Sequence, residues 1–291
     1  MTTPLVGLLA GIIILFPGPA DPQQAPTQQP PEPSPNVIVL PEVAPGLTDK
    51  SPDSTPAATG VRLDLSEWKL TLPVGVKGKP IEVAHPRPDA SADEHWFGQT
   101  PDHAVAFRAP VDGVTTSGSG YPRSELREMS ADGASPASWS STSGQHTMRV
   151  FEAFTHLPAG KAELVGAQIH DATHDISVFR LEGTRLWITD DNNPHYALAT
   201  YNYHLGTPFQ ADYVVADGQI RAFYNGAPAA TIPAPSLTGA YFKAGAYTQA
   251  NCTNSSPCSD DNYGETVIYQ LAVTHTRDRQ TGTAPLRTET R

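Results

Sequence analysis

The stretch Tyr213-Val-Val-Ala-Asp-Gly-Gln-Ile-Arg-Ala-Phe-Tyr224 decides the fold class of this chain. Its two halves are rich in β-branched and aromatic residues, which are enriched in strands. The Asp217-Gly218 pair between them is typical of a two-residue hairpin turn, because both residues tolerate a positive φ. A second pair of this kind, Asn225-Gly226, follows directly. The stretch therefore predicts consecutive antiparallel strands joined by tight turns.

Short β-rich runs separated by turn residues continue on both sides of this stretch. We find no long segment with helical periodicity in the same part of the chain, and Glu182-Gly183-Thr184 predicts a further hairpin turn. The pattern predicts an all-β fold, a β-sandwich jelly roll of two antiparallel sheets. The clearest predicted strands are 147–154, 164–170, 176–181, 185–189, 213–216, 220–224, 241–249 and 266–274.

The composition of the 291 residues agrees with this class and excludes others. The 29 prolines and 23 glycines are too many helix breakers for a coiled-coil or long-helix protein. The 30 acidic and 19 basic residues give a formal net charge of -11, which excludes a nucleic-acid binder that relies on a global positive field. We therefore expect no nucleic-acid partner.

The N-terminal residues 1–20 predict a signal peptide. The apolar run from Leu5 to Phe16 is too short to span a bilayer comfortably, and the small residues Gly18 and Ala20 suit a signal peptidase. The segment contains no Lys or Arg, so a retained membrane anchor is the alternative. We expect a secreted, extracellular protein with no stable membrane association after cleavage.

The composition also divides the rest of the chain. Residues 21–60 are rich in proline and polar residues and predict a disordered linker, because such a segment buries too little apolar area to offset its ordering entropy. Residues 61–277 form the predicted folded domain, expected to be a monomer, and residues 278–291 form a polar tail.

The chain has two cysteines, Cys252 and Cys258, which enclose a short loop of turn-forming residues. In an exported protein a pair this close predicts a local disulfide. Two thiols without a paired histidine motif make a poor zinc site. The nine histidines other than His170 also lack a metal-ligand spacing, so we expect surface or loop positions for them and no metal site.

Three predicted strands share an unusual polar face. Side chains alternate across a strand, so residues i, i+2 and i+4 lie on one face. For a single strand a solvated face is the simpler interpretation, but together these faces collect residue types that bind carboxylates and transfer protons. The faces consist of Arg123, Glu125 and Arg127, of Gln168 and His170, and of Tyr241, Lys243, Tyr247 and Gln249.

The opposite faces of these strands carry residues that suit a core. Alternation assigns Val165, Ala167 and Ile169 to the far side of one strand. Gly245 lies on the polar face of another strand, where the missing side chain predicts a gap through which a ligand could approach the backbone.

The same segments closely resemble the three signature blocks of polysaccharide lyase family 7, the alginate lyases. The blocks are Arg-Ser-Glu-Leu-Arg at 123–127, Gln-Ile-His at 168–170 and Tyr-Phe-Lys-Ala-Gly-Ala-Tyr-Thr-Gln at 241–249, in this order. The run at 68–73 also looks like the start of that catalytic domain. The resemblance implies a jelly roll whose concave sheet binds an anionic uronic-acid chain in a groove. It also implies β-elimination with no metal or cofactor.

The resemblance implies a role for each catalytic residue. Elimination across C4 and C5 of a 4-linked uronate requires donors that stabilise the charge developing on the substrate carboxylate, and the family pattern places Arg123 and Gln168 there. Tyr247 then protonates the leaving O4. His170 is the base for guluronate, whereas Tyr247 also serves as base for mannuronate.

Further residues follow as substrate-binding candidates. Arg127 and Lys243 would bind neighbouring uronate carboxylates, and Glu125 would orient an arginine or meet sugar hydroxyls. Tyr241 could offer its ring to a sugar, and Gln249 a hydrogen bond. A purely structural role is an equal alternative for each, because Arg and Glu on one sheet also form ordinary cross-strand ion pairs.

Other functions remain open beside alginate cleavage that includes guluronate blocks and yields 4,5-unsaturated oligosaccharides. The substrate could be glucuronan or another polyuronate, and the domain could be a jelly-roll carbohydrate-binding module without catalysis. A glycoside hydrolase would need two carboxylates flanking the scissile bond. Glu125 and Glu128 are three residues apart and therefore lie on opposite strand faces.

Overall fold

The computed structural model describes residues 63–84 and 95–277. The described residues form strands, turns and loops without a helix, and hence contain no helix that could cross a membrane. The predicted signal peptide (1–20), linker (21–60) and polar tail (278–291) lie outside the described residues.

Two antiparallel sheets make up the described structure, which confirms the predicted all-β jelly-roll class. In spatial order, the eight-stranded sheet consists of β10 (Asn193–Thr200), β9 (Arg185–Asp190), β8 (Asp175–Glu182), β7 (Glu163–His170), β14 (Tyr241–Thr248), β5 (Arg123–Glu128), β1 (Trp68–Val76) and β2 (Lys79–Val83). The seven-stranded sheet consists of β13 (Ala227–Pro233), β12 (Gln219–Tyr224), β11 (Phe209–Ala216), β6 (Gln145–His156), β15 (Tyr263–Thr276), β4 (Val105–Pro110) and β3 (Phe97–Gln99).

The predicted hairpin turns are confirmed. Asp217 and Gly218 have φ values of 53° and 71° between β11 and β12, as a type I′ turn requires. The Asn225-Gly226 turn joins β12 to β13 in the same way. Strand β13 itself was not predicted, because its prolines obscure the strand pattern. Proline is tolerated there because β13 is an edge strand.

The core lies between the two sheets and consists mainly of large aromatic and aliphatic side chains. Phe242 and its alternate neighbours Ala244 and Ala246 on β14 are fully buried, as the alternation predicts. Phe107 and Phe154 reach the same core from the opposite sheet. Burial of such a side chain contributes roughly 2 to 3 kcal/mol, so the core holds the polar strands of the eight-stranded sheet in a fixed register.

Alternation fails in the middle of β7. The pairing of β7 with β8 shifts between Val165 and Gln168, where two residues of β7, Gly166 and Ala167, lie opposite one residue of β8, Phe179. This β-bulge returns Val165 to the polar face, opposite Tyr247 of β14. The predicted grouping of Val165 with Ala167 and Ile169 was therefore wrong.

Two other predictions concern residues outside the eight-stranded sheet. The disulfide between Cys252 and Cys258 is confirmed, with Cα atoms 4.9 Å apart. The expectation that His146 occupies a surface position was wrong, because it is buried and its Nδ1 lies 2.7 Å from Nδ1 of His275.

Candidate active site

The three polar segments are adjacent in space because β14 lies between β5 and β7. Lys243 pairs with Arg127 on one side and with Gln168 on the other. Tyr247 lies beside Arg123 of β5. Segments far apart in the sequence thus form one continuous polar surface at the centre of the eight-stranded sheet.

A cavity of about 380 Å³ opens over this surface, and we call it the polar cavity. A larger cavity of about 1090 Å³ lies beside Trp139 and His275 and contains none of the predicted site residues, so we assign the active site to the smaller one. Six predicted residues line the polar cavity, namely Arg123, Arg127, His170, Tyr241, Lys243 and Tyr247.

Several residues of the polar cavity were not predicted as site residues. They lie outside the three blocks, on β1, on β2, at the start of β8 and on the loop that precedes β5, so strand alternation within a block could not indicate them. One signal was available, because Lys69 and Thr71 belong to the 68–73 run that resembles the start of the catalytic domain. These additional lining residues include Lys69, Thr71, Glu82, Thr116, Ser119 and Asp175.

The carboxylate of Glu125 organises the floor beneath the polar cavity. Glu125 is 1% exposed and accepts a hydrogen bond from the side-chain amide of Gln168. Its Oε2 forms an ion pair with the ammonium of Lys243 and lies 3.5 Å from Nη1 of Arg123. One carboxylate thus faces two cations, which leaves the site with one excess positive charge directed at an anionic ligand.

Gln168, Glu125 and Gln249 do not line the polar cavity. The side chain of Gln168 is buried beside Glu125, and its Oε1 has no hydrogen-bond partner. Gln249 follows the end of β14, where its backbone N–H donates to the carbonyl of Glu163. Its side-chain Nε2 lies 3.5 Å from the carbonyl oxygen of Tyr247.

Gly245 serves the pairing of β14 with β5 rather than a ligand. Its φ of 144° disfavours other residues, and a Cβ there would lie 2.6 Å from the carbonyl oxygen of Ser124 and 2.8 Å from Cα of Glu125. The neighbouring strand therefore fills the space that the sequence analysis assigned to a ligand. This close approach brings Glu125 next to Lys243.

Tyr247 is held on two sides. The guanidinium of Arg123 lies over its ring, 3.9 Å from the centroid, and its hydroxyl is 2.9 Å from Oγ of Ser119. The ammonium of Lys243 lies 6.0 Å from the same ring centroid. Burial lowers the pKa of Lys243 to about 8, against the opposing effect of Glu125. The phenol is thus placed next to cations that could bind a substrate carboxylate.

His170 presents an unprotonated ring nitrogen. Its Nδ1 is 2.5 Å from the backbone carbonyl of Asp171, and because a carbonyl only accepts, Nδ1 must carry hydrogen. In the neutral ring, Nε2 therefore holds the free electron pair. Burial and, secondarily, the charge of Lys243 lower the pKa of His170, so the imidazole is neutral at pH 7 and able to accept a proton.

Tyr241 is a different kind of tyrosine from Tyr247. Its hydroxyl lies 3.1 Å from Nδ1 of His170, and the two rings stack. The guanidinium of Arg127 lies 3.8 Å from its ring centroid. Because burial raises the pKa of Tyr241, its phenol stays protonated and supports His170 and Arg127 by packing.

Comparisons against known proteins identify the family of this chain. The sequence profile of the family described as alginate lyase matches residues 63–275. The chain belongs to the alginate lyase family. It is therefore a polysaccharide lyase. None of the curated proteins compared with it matches.

Solved structures of alginate lyases are similar over the same region. The alginate lyase from Corynebacterium sp. is 56% identical, with a TM-score of 0.72 and coverage of 74% of this chain and 96% of that chain. Alginate lyase AlgAT5 from polysaccharide lyase family 7 is 44% identical, with a TM-score of 0.69 and coverage of 74% and 96%. A variant of the family 7 alginate lyase A1-II′, solved in complex with a substrate designated GGMG, is 26% identical, with a TM-score of 0.60 and coverage of 74% and 94%.

No group of three or more His, Cys, Asp or Glu side chains within 63–84 and 95–277 is arranged to hold a metal ion. The cations that the described part of the chain offers to a ligand in the polar cavity are Lys69, Arg123, Arg127 and Lys243, beside the carboxylates of Glu82 and Asp175.

Proposed function

We propose that this lyase cleaves alginate, including guluronate blocks, by a metal-independent β-elimination that yields 4,5-unsaturated oligosaccharides. The observation that supports this proposal is the set of groups that line the polar cavity. Arg123 and Lys243 supply two buried cations, His170 supplies a neutral imidazole, and Tyr247 supplies a phenol. The binding of a substrate by the related A1-II′ variant also supports a polyuronate ligand.

The first requirement of the reaction is to stabilise charge on the substrate. The C5 proton lies next to a carboxylate and is weakly acidic, so negative charge accumulates on that carboxylate in the transition state. Arg123 and Lys243 are fixed by Glu125 before substrate binds, and donors fixed in advance need no reorganisation during the reaction. In this structure the side-chain amide of Gln168 donates to Glu125. A contact between Gln168 and the substrate carboxylate therefore stays a prediction.

The second requirement is a base and an acid. For guluronate, Nε2 of His170 takes the C5 proton, the electron pair of that C–H bond forms the C4=C5 double bond, and the C4–O4 bond breaks. The hydroxyl of Tyr247 gives its proton to the departing O4. For mannuronate, the proton and the leaving group lie on one side of the sugar, so Tyr247 also serves as the base. Its ionised oxygen takes the C5 proton and then gives that proton to the departing O4.

The two carboxylates on β5 that a hydrolase could use, Glu125 and Glu128, are not free. Glu125 is buried and bonded to Gln168 and Lys243. Glu128 is also buried, and its Oε2 accepts hydrogen bonds from the indole of Trp139 and the backbone N–H of Phe242. Both carboxylates therefore serve the packing of the sheet.

The proposal is tested by ultraviolet absorbance of the purified protein with polyguluronate, polymannuronate and glucuronan in separate reactions, each with and without a chelator. Elimination creates a conjugated C4=C5 bond that absorbs, whereas hydrolysis does not. We expect rising absorbance on both alginate polymers with the chelator present. New reducing ends without absorbance would indicate a hydrolase, and neither signal would indicate a binding module.

We also propose that the protein acts outside the cell, because its polymeric substrate is too large to enter and residues 1–20 have the pattern of a signal peptide. The N-terminal sequence of protein recovered from culture medium tests this. A start near residue 21 is expected, and an uncleaved chain found in the membrane fraction would contradict secretion.

A further inference from the structure

The hydroxyl of Ser119 makes a complete set of hydrogen bonds around the catalytic phenol. Its Oγ accepts the backbone N–H of Tyr121 at 3.0 Å and lies 3.3 Å from the carbonyl oxygen of the same residue. Its third neighbour is the hydroxyl of Tyr247, at 2.9 Å. A serine hydroxyl has one donor and two acceptor positions. While Tyr247 is protonated, Ser119 therefore accepts from the phenol and donates to the Tyr121 carbonyl.

We propose that Ser119 is a positioning residue that orients the hydroxyl of Tyr247 and stabilises its ionised form during leaving-group departure. This inference rests on the proposed role of Tyr247 as the acid. When the phenol O–H bond breaks and the O4–H bond forms, the phenolate oxygen needs a donor. The Ser119 hydroxyl supplies it by rotating its hydrogen from the Tyr121 carbonyl to the phenolate, and no further proton is consumed.

The loop that carries Ser119 is fixed from the disulfide side of the molecule. The side-chain amide of Asn251 donates to the carbonyl of Gly120 at 2.9 Å. The Tyr121 hydroxyl lies 3.2 Å from Nζ of Lys161, and the ammonium also lies 4.9 Å from the Tyr121 ring centroid. These contacts secure Gly120 and Tyr121, which directly follow Ser119, so the serine is placed by the fold and not by chance on a loose loop.

The loop enclosed by Cys252 and Cys258 is linked to Ser119 by a series of contacts, so it helps to position the catalytic phenol. Asn251 immediately precedes this loop, and its Oδ1 also accepts the backbone N–H of Thr253 at 2.9 Å. Contacts therefore run from the disulfide loop through Asn251 and Gly120 to Ser119 and then to Tyr247. Serine and asparagine at these positions gave no signal in the sequence, because neither belongs to a signature block.

The first test compares Ser119→Ala with Ser119→Thr by steady-state kinetics on polyguluronate. Loss of one hydrogen bond to a charged group predicts a kcat lower by roughly tenfold to a hundredfold with KM within twofold. The threonine variant keeps the hydroxyl and should recover most of kcat. Ser117→Ala is the matched control, since this exposed serine on the same loop does not line the polar cavity.

A second variant tests the hydrogen bond between Asn251 and the carbonyl of Gly120 without changing Ser119. Asn251→Asp keeps the oxygen that accepts from Thr253 but removes the donor to Gly120, so we expect a several-fold lower kcat and an unchanged melting temperature. Wild-type kcat in Ser119→Ala, or a change confined to KM, would overturn the inference. Tyr247→Phe separates the proposed role of Tyr247 from that of Ser119. If Tyr247→Phe is active, Tyr247 is not the acid. If Tyr247→Phe is inactive while Ser119→Ala has wild-type kcat, only the proposed role of Ser119 is refuted.

Discussion

At the scale of single residues, the division of labour between His170 and Tyr247 is open to direct test. His170→Ala should lower kcat on polyguluronate at least a hundredfold, because the base is removed, and should lower kcat on polymannuronate less. Tyr247→Phe should abolish turnover on both polymers with the fold intact. Initial rates on the two polymers and circular dichroism check these outcomes. Equal losses on both polymers in His170→Ala would show that His170 positions substrate instead.

Lys243 gives the site a dependence on alkaline pH. Its pKa of about 8 means that the ammonium loses its proton as the pH rises through 8, and a neutral amine no longer attracts a uronate carboxylate. We expect KM to rise severalfold between pH 7 and pH 9. Lys243→Arg keeps a permanent charge and should flatten this rise. An identical pH profile of KM in both proteins would exclude Lys243 as the titrating group.

Glu152 is a buried carboxyl that the proposed reaction does not use. It is fully buried on β6, and neither carboxyl oxygen has a side-chain hydrogen-bond partner. Burial raises its pKa from 4.5 to about 8, against the opposing effect of the Ala167 backbone. The folded protein therefore retains a proton that the unfolded chain releases, so stability falls as the pH rises from about 4.5 to about 8.

Glu152→Gln should remove this pH dependence because glutamine keeps the shape without titrating. At about 1.4 kcal/mol per pH unit, the free energy of unfolding of the variant relative to the wild type should increase between pH 5 and pH 8 by at most about 4 kcal/mol. Urea unfolding at several pH values measures the difference. A difference that is constant with pH would contradict a protonated Glu152.

At the scale of elements, the bulge of β7 packs against the side chain of Glu152 from the opposite sheet. A Cβ on Gly166 would lie 2.7 Å and 2.8 Å from the two carboxyl oxygens of Glu152. The bulge lies just before Gln168 and His170, so its shape sets where both side chains project from the strand.

A double-mutant cycle tests whether this contact dictates the glycine. Gly166→Ala alone should cost about 1 to 3 kcal/mol of stability through overpacking and should lower kcat. On a Glu152→Ala background, where the space is open, the same substitution should cost distinctly less. Chemical denaturation of the four proteins gives the coupling energy. Additive effects would show that Gly166 is required for a reason other than Glu152.

The same strand shows what the sequence could and could not predict. The strands and tight turns follow from local patterns, and the three polar blocks identify the central strands of one sheet. The bulge at Gly166 could not be predicted from the pattern of β7, because Gly166 packs against Glu152 of the opposite sheet. Ser119 was missed for a related reason, since its importance arises from a contact with a residue more than a hundred positions away.

At the scale of the whole molecule, the two sheets are joined at one end by a chain of titratable side chains. Glu128 of β5 lies 2.5 Å from Nε2 of His275 on β15, and Nδ1 of His275 lies 2.7 Å from Nδ1 of His146 on β6. His146 Nε2 faces the carbonyls of Ser140 and Ser143. Because carbonyls only accept, Nε2 carries hydrogen, and Nδ1 of a neutral His146 accepts from His275.

This arrangement makes the joint between the sheets sensitive to acid. Burial lowers the pKa of His146, with a smaller contribution in the same direction from His275, and the carbonyls and Glu128 oppose the shift. A second proton on the His146 ring would place a hydrogen on its Nδ1. Two N–H groups, from His146 and His275, would then face each other, and the hydrogen bond between the rings would be lost. The folded protein binds this proton less readily than the unfolded chain, so the stability is complete above about pH 6.5 and is lost as the pH falls through the lower folded pKa.

His146→Gln tests this joint, because glutamine can donate to the two carbonyls and accept from His275 but does not titrate. The melting temperature of the wild type should fall between pH 7 and pH 5 by more than that of the variant. Exposed His204 supplies the matched control, and His204→Gln should follow the wild type. If the wild type and His146→Gln lose stability in parallel, the acid-sensitive group lies elsewhere. If the difference grows only below pH 6.5, one proton on His146 weakens the contact between the sheet that carries the polar cavity and the sheet that supports it.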